Sequence, residues 1–402
     1  MNTNTQSKKQ NLTVLYCLYQ AAYFFAIAGI GAFSVTYLMG KGLAAAPIGL
    51  IMASTNVFSC VLQPLIGSFV DRRSPACLPR IILSFLLAAI GCFSAIELLN
   101  PPLFITGALF AIGSLSFSIT VPLGNSLCAC YAQGGYAIDY GMGSGIGSLS
   151  FSFASLGFGY VIALMGTSSM MLIALLFIML QALSILRFPR FDAEAQNRPS
   201  RANAQNSLSL YGFIRRYRFY MLMLVGVMGL AACHAMAENY MIHLFNRVGG
   251  GSEHVGVALF LACITNAPFM MLFERIQRKI SVSLLLRLSG LFYVAKAAMM
   301  IFAPSILSIY LIELLQIVTY GFMYPSLYYL ARRRIAPADM AKGQAMNSTL
   351  YTLGTALGNS LGGVMIDLAG LNAMLAIAAA IAGTGTLLIH IFVDKADSTA
   401  DC

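Results

Sequence analysis

Polar residues in this chain fall in short clusters, and the stretches between them are long and apolar. A membrane-crossing helix needs roughly 20 predominantly apolar residues. Breaks marked at charge, proline and glycine clusters predict twelve such helices. Their approximate limits are 13–38, 46–70, 80–99, 102–131, 141–165 and 169–187, then 217–246, 254–274, 281–303, 306–331, 343–367 and 371–393. One long polar segment interrupts the series, RFPRFDAEAQNRPSRANAQNS from Arg187 to Ser207. Its Arg, Asn and Pro content predicts a linker. The expected organisation is a six-helix bundle over 1–187, a linker over 188–216 and a second six-helix bundle over 217–402. The two halves echo each other. GLIMASTNVFSCVLQPLIGSFVDRR from Gly49 and GVALFLACITNAPFMMLFERIQRK from Gly256 each start at Gly, carry a mid-span Asn and a Pro, and end in an acidic-basic cluster. Repeated six-helix halves with a site at their interface are a transporter plan.

Composition sharpens this picture. Of the 402 residues, 59% are hydrophobic and 9% charged, against about 25% charged in an average soluble domain. Too little polar material is present to coat a soluble core, so the expected fold class is an all-α membrane protein. The net charge of +10 could suggest nucleic acid, but the basic residues sit in short clusters between apolar runs. Nothing at the start, MNTNTQSKKQ, reads as a cleavable signal peptide. If the N-terminus is cytoplasmic, 21 of the 24 basic residues fall inside, Lys41 and Arg247 fall outside, and Lys296 lies within a span. That asymmetry predicts a multi-pass protein of a plasma-type membrane with both termini cytoplasmic. The nine cysteines, including the C-x-C of Cys128 and Cys130, read as small membrane residues, with no metal site. No nucleophile–base pair, cofactor motif or phosphate-binding loop appears, so an enzyme is not expected, and neither is a cofactor.

The stretch QPLIGSFVDRR supplies Gly67, Asp71, Arg72 and Arg73 between the second and third spans. It resembles the loop signature of the major facilitator superfamily, in which a Gly, three residues, an Asp and a basic residue recur. The resemblance implies a cytoplasmic gate, with the carboxylate pairing across to the other half; the plain alternative is a solvated, positive loop. YFF at Tyr23–Phe25, QPLIGSFVD and YG at Tyr140–Gly141, with the Gly290 to Lys296 spacing, look like the oligosaccharide/proton symporter branch. By position, the branch's sugar-gripping acid and arginine become Ser126 and Ser144. Its acid in span eight becomes Cys263, and its proton-linked pair in span ten becomes Gln316 and Thr319. Its intramembrane cation persists as Lys296.

Ionisable groups inside a span are costly and need a reason. Glu238, Lys296 and Glu313 stand out. Helical rise puts Lys296 roughly 22 Å in from one face and Glu313 roughly 12 Å in from the other. Glu238 falls at similar depth, so the three are expected to meet. They read either as a proton-coupling cluster or as a static ion pair. Uncharged polar residues mark the expected cavity: Asn125 beside Ser126, after a break expected at Pro122; Asn239; Asn266; Gln316, Thr319 and Tyr320; Asn347, Tyr351 and Asn359. Tyr23, Phe24 and Tyr320 are the candidates for stacking on a ring, since the chain has no Trp. His234 and His243 read as packing residues, with proton relay the lesser option. Glu97, Asp139 and Asp367 read as interfacial. The Gly- and Ser-rich spans five and eleven predict close helix contacts between the halves, either sliding or static.

These readings predict a monomeric secondary transporter working by alternating access, with protons as the coupling ion. Its expected substrate is a small neutral or weakly polar solute, such as a sugar or nucleoside. An aromatic-acid or drug transporter, or a non-transporting receptor, is the alternative.

Overall fold

The computed structural model describes residues 11–71, 77–189, 209–336 and 339–395, and these fold almost entirely as helix. The first crossing is α1 (Thr13–Ile27), a π turn (Ala28–Ala32) and α2 (Ser34–Gly40). Then come α3 (Ala45–Asp71), α4 (Leu78–Leu99), α5 (Leu103–Gln133), α6 (Tyr140–Met165) and α7 (Thr167–Arg187). The short α8 (Leu210–Arg216) leads into α9 (Arg218–Asn239), α10 (Met241–Arg247), α11 (Ser252–Lys279) and α12 (Val282–Ile301). The chain ends with α13 (Ile306–Glu313), a 3-10 turn (Leu314–Ile317), α14 (Tyr320–Arg334) and α15 (Met340–Phe392). We call the face where α1 begins proximal and the opposite face distal.

Ten helices among the described residues are long and apolar enough to cross a membrane. Two departures from the sequence expectation have local causes. The eleventh and twelfth expected spans merge into α15, 53 residues long, because no loop separates them. Gly370 alone turns the chain there, with φ 80° and ψ 175°, a conformation essentially reserved for glycine. The expected break at Pro122 is absent; α5 runs through it.

Small residues set how closely helices approach. In α6, Gly143 and Gly147 lie against the rings of Tyr16 and Phe24 of α1, and in α15 Gly354 and Gly358 lie against the backbone of α9. These contacts stay within one half. The halves themselves meet chiefly along α3–α15 and α6–α11. Gly159 of α6 and Gly256 of α11 touch backbone to backbone, and Ser252 Oγ donates to the Gly159 carbonyl at 3.2 Å. On the other seam, Asp367 of α15 accepts from the backbone N–H groups of Ala45 (3.2 Å) and Ala46 (2.7 Å). It thereby caps the first turn of α3 from the opposite half, where the free N–H groups and the helix dipole favour an anion. Both seams are closed at the distal end.

Glu97 and Asp139 also make local ties. Glu97 accepts from Lys41 (3.0 Å) and Tyr37 (2.5 Å), and Asp139 caps α6 at Met142 N (2.9 Å). Gly67 and Asp71 lie in the last turns of α3, while Arg72 and Arg73 lie outside the described residues.

Candidate functional site

The buried ions of the second half converge on one nitrogen. Lys296 Nζ, from α12, donates to Glu238 Oε1 of α9 at 2.6 Å, to Glu313 Oε2 of α13 at 2.9 Å and to Gln316 Oε1 of the 3-10 turn at 2.9 Å. Three acceptors satisfy all three ammonium protons. The break in the tenth span makes this possible: where α13 tightens into the 3-10 turn, Glu313 and Gln316 sit three residues apart and project on the same side. Thr319 closes the turn; its carbonyl accepts from Ser289 at 2.8 Å and its hydroxyl returns to the Leu315 carbonyl at 3.0 Å.

The cluster is asymmetric. Glu313 is fully buried, and its second oxygen, Oε1, has no hydrogen-bond partner. Glu238 instead lines a cavity of about 340 Å³ between the halves. Two acids share one cation, so with both ionised the cluster carries one negative charge in excess, and one proton would balance it.

The central cavity is walled on the first half by residues including Ser34, Asn56 and Ser118, and on the second by His234, Asn239 and Tyr351. Asn239 donates to Asn359 Oδ1 at 2.6 Å, and Asn56 crosses between halves to Thr355 Oγ1 at 3.2 Å. A larger cavity of about 650 Å³ lies toward the proximal face, and Ser118 and Tyr351 line both. Its walls are amide and tyrosine: Gln63, Asn125 and Gln344, with Tyr23, Tyr324 and Tyr328. Tyr320 stacks on Tyr324 at 5.4 Å, and Tyr351 packs edge-on to both at 6.4 and 6.2 Å. This surface offers π faces and hydrogen-bonding edges with no formal charge.

Of the residues singled out in the sequence, the fold brings Glu238, Lys296, Glu313 and Gln316 together. It lines the two cavities with Tyr23, Asn125, Asn239, Tyr320 and Tyr351. Asn266 is buried with its Oδ1 unpaired, beside Gly321, and lines neither cavity. Ser126 is exposed and spends its hydroxyl on the Pro122 carbonyl at 2.9 Å. Ser144 and Cys263 are half-buried and line neither cavity. Asn56, Gln63 and Gln344 were missed as cavity residues. A polar residue in an apolar span was their available signal, and Asn56 carried it.

Comparison with known proteins bears on the whole chain. A family model described as "MFS_1 like family" matches residues 16–376. The maltose permease of Geobacillus stearothermophilus is 26% identical over 360 residues, covering 89% of this chain and 86% of that protein. The uncharacterized transporter YwbF of Bacillus subtilis is 26% identical over 367 residues, covering 88% and 86%. Among solved structures, the nucleoside transporter NupG superposes with a TM-score of 0.78 at 14% identity, covering 96% of this chain and 99% of that one. A variant of NupG gives 0.73 at 16% identity, with the same coverage.

Proposed function

The chain belongs to the MFS_1 like family of the major facilitator superfamily, and on that footing we propose that it moves a small neutral or weakly polar solute of the sugar or nucleoside class by proton-coupled alternating access. It is a multi-pass membrane transporter and not an enzyme. The observation that carries the coupling reading is the Lys296 cluster, with Glu238 facing the cavity between the halves and Glu313 sealed behind it. A proton on either acid frees Lys296 to hold the other alone, which changes how α9, α12 and α13 are tied. Substrate in the cavity meets Glu238 directly, so proton and substrate bias one set of contacts.

The substrate class rests on the lining. The tyrosine and amide walls suit a ring with hydroxyl or amide edges. Similar proteins are named for maltose and for nucleosides. An anionic aromatic substrate is disfavoured because the buried Lys296 already has three acceptors.

In this reading twelve crossings form two bundles, 1–187 and 217–402, joined by the 188–216 linker, with both termini cytoplasmic in the plasma membrane. The count follows if α15, whose apolar stretch runs 51 residues, folds back at Gly370, and if α11 crosses despite its charged ends. The closed distal seams make the form described here closed to the outside. Gly67, Asp71, Arg72 and Arg73 would pair across the cytoplasmic side when that side closes. The transporter works as a monomer.

The test is uptake into proteoliposomes, screening sugars and nucleosides with and without an imposed proton gradient. We expect gradient-driven accumulation of one class, lost in Glu313→Gln while exchange without a gradient survives. Transport that ignores the gradient for every accepted solute would overturn proton coupling.

A further inference from the structure

His234 has no task in the arrangement above, yet it lines the central cavity beside Glu238. It sits on α9 one turn before Glu238, with Nδ1 at 3.9 Å from Glu238 Oε1. That nitrogen is shut off from solvent and has no hydrogen-bond partner. The ring nevertheless lines the central cavity and its side chain keeps 16% exposure. The exposed edge is therefore the one opposite Nδ1, which carries Nε2. Two aromatic rings hold the imidazole in this pose: Tyr320 stacks on it at 5.4 Å and Tyr293 meets it edge-on at 6.1 Å.

We infer that His234 is the proton relay between cavity water and Glu238 Oε1, the oxygen that holds Lys296, an inference that rests on the coupling reading of the preceding subsection. The step balances as follows. A neutral ring carrying its proton on Nδ1 takes a proton from cavity water at Nε2 and becomes imidazolium. It passes the Nδ1 proton to Glu238 Oε1 and is left neutral with its proton on Nε2. When the cavity faces the other side, Glu238 returns the proton to Nδ1 and Nε2 releases one to water. The original tautomer is restored and one proton has crossed. Oε1 is the same oxygen that holds Lys296. A proton on either oxygen neutralises the carboxylate, but one delivered to Oε1 also occupies the atom that Lys296 contacts, whereas one on the other oxygen leaves a neutral carbonyl oxygen facing the ammonium.

The 3.9 Å gap exceeds hydrogen-bonding range by about 0.7 Å, so transfer waits for the ring and carboxylate to close. The titratable groups around the ring are Glu238 on α9, Lys296 and Tyr293 on α12, Tyr320 on α14 and Tyr351 on α15; Cys233 on α9, Cys263 on α11 and Glu313 on α13 lie beside the carboxylate it would serve. From the first half the cavity receives Ser34, Asn56, Ser114 and Ser118, none of which titrates. His234 is accordingly the only nitrogen base on the cavity wall among the described residues.

The test needs no identified substrate. Full-length protein in proteoliposomes is given a sudden acid jump, and the infrared carbonyl band of the buried carboxylic acids is followed in time. Glu238→Gln and Glu313→Gln assign the band. We expect His234→Gln to slow the band's rise by about tenfold or more, in keeping with the loss of an acid–base group, while its final amplitude is kept. His234→Asn, which retains an amide nitrogen near the Nδ1 position, should be equally slow, and added imidazole should restore the rate in both. Unchanged kinetics in both variants would overturn the relay and leave the coupling reading standing. A normal rate in His234→Asn, or a failure of imidazole to restore either variant, would assign His234 a structural role and overturn the relay. Absence of any band from Glu238 or Glu313 in the unaltered protein would overturn the coupling reading itself.

Discussion

Lys296 is 2% exposed and is held by two carboxylates and an amide. Removing it would leave two acids buried without a cation, and breaking a buried pair in this way costs about 3–5 kcal/mol. Lys296→Ala should therefore lower the midpoint of thermal unfolding in detergent. Combining it with Glu238→Gln and Glu313→Gln should recover most of the loss, because no uncompensated charge then remains. The meeting of these three residues was legible in the sequence because helical rise fixes depth. Rotation about the helix axis was not legible. Asn125 faces the proximal cavity while its neighbour Ser126 is spent on its own helix. His234 was read together with His243, nine residues away, although the informative partner was Glu238, one turn along the same face.

Among the elements, the tenth and eleventh spans show what a hydropathy pattern carries and what it omits. The apolar run 306–331 was read as one helix, and its limits were close. Its interior is two helices joined by the 3-10 turn Leu314–Ile317. That turn depends on which backbone carbonyls find partners, here Ser289 on Thr319, and such pairing is set by tertiary contact. We expect Ser289→Ala, which removes one of two donors to the Thr319 carbonyl and leaves it the Met323 N–H at 3.0 Å, to cost about 0.5–1.5 kcal/mol and to weaken gradient-driven uptake more than simple exchange. The gap expected at 368–370 contains Gly370, the point where the chain turns, while the two helices it was expected to separate run together as α15. A side chain at φ 80° is strained, so Gly370→Val should cost on the order of 1–3 kcal/mol, measurable as lost folded yield.

For the molecule as a whole, the sequence divides into two parts by the linker and by the Gly49 and Gly256 echo. The structure gives that echo a physical sense. Gly49 packs on the Asn359 carbonyl of α15, and Gly256 packs on Gly159 of α6. Each glycine marks the place where its helix crosses into the other half. What the pattern could not show was the cap that Asp367 places on α3. Loss of a helix cap costs about 0.5–2 kcal/mol. Asp367→Ala should therefore shift the balance toward a form open on the distal side by up to roughly thirtyfold. Spin labels placed across α3 and α15 would show a second, longer distance population.

The tyrosine-lined chamber has one more consequence. Tyr320, Tyr324 and Tyr351 cluster along the proximal cavity, and the chain contains no tryptophan at all. A single indole installed at the rim, as in Tyr328→Trp, would be the molecule's one long-wavelength emitter, surrounded by phenol donors that feed it energy. Occupancy of the chamber could then be read as a colour change in unlabelled protein.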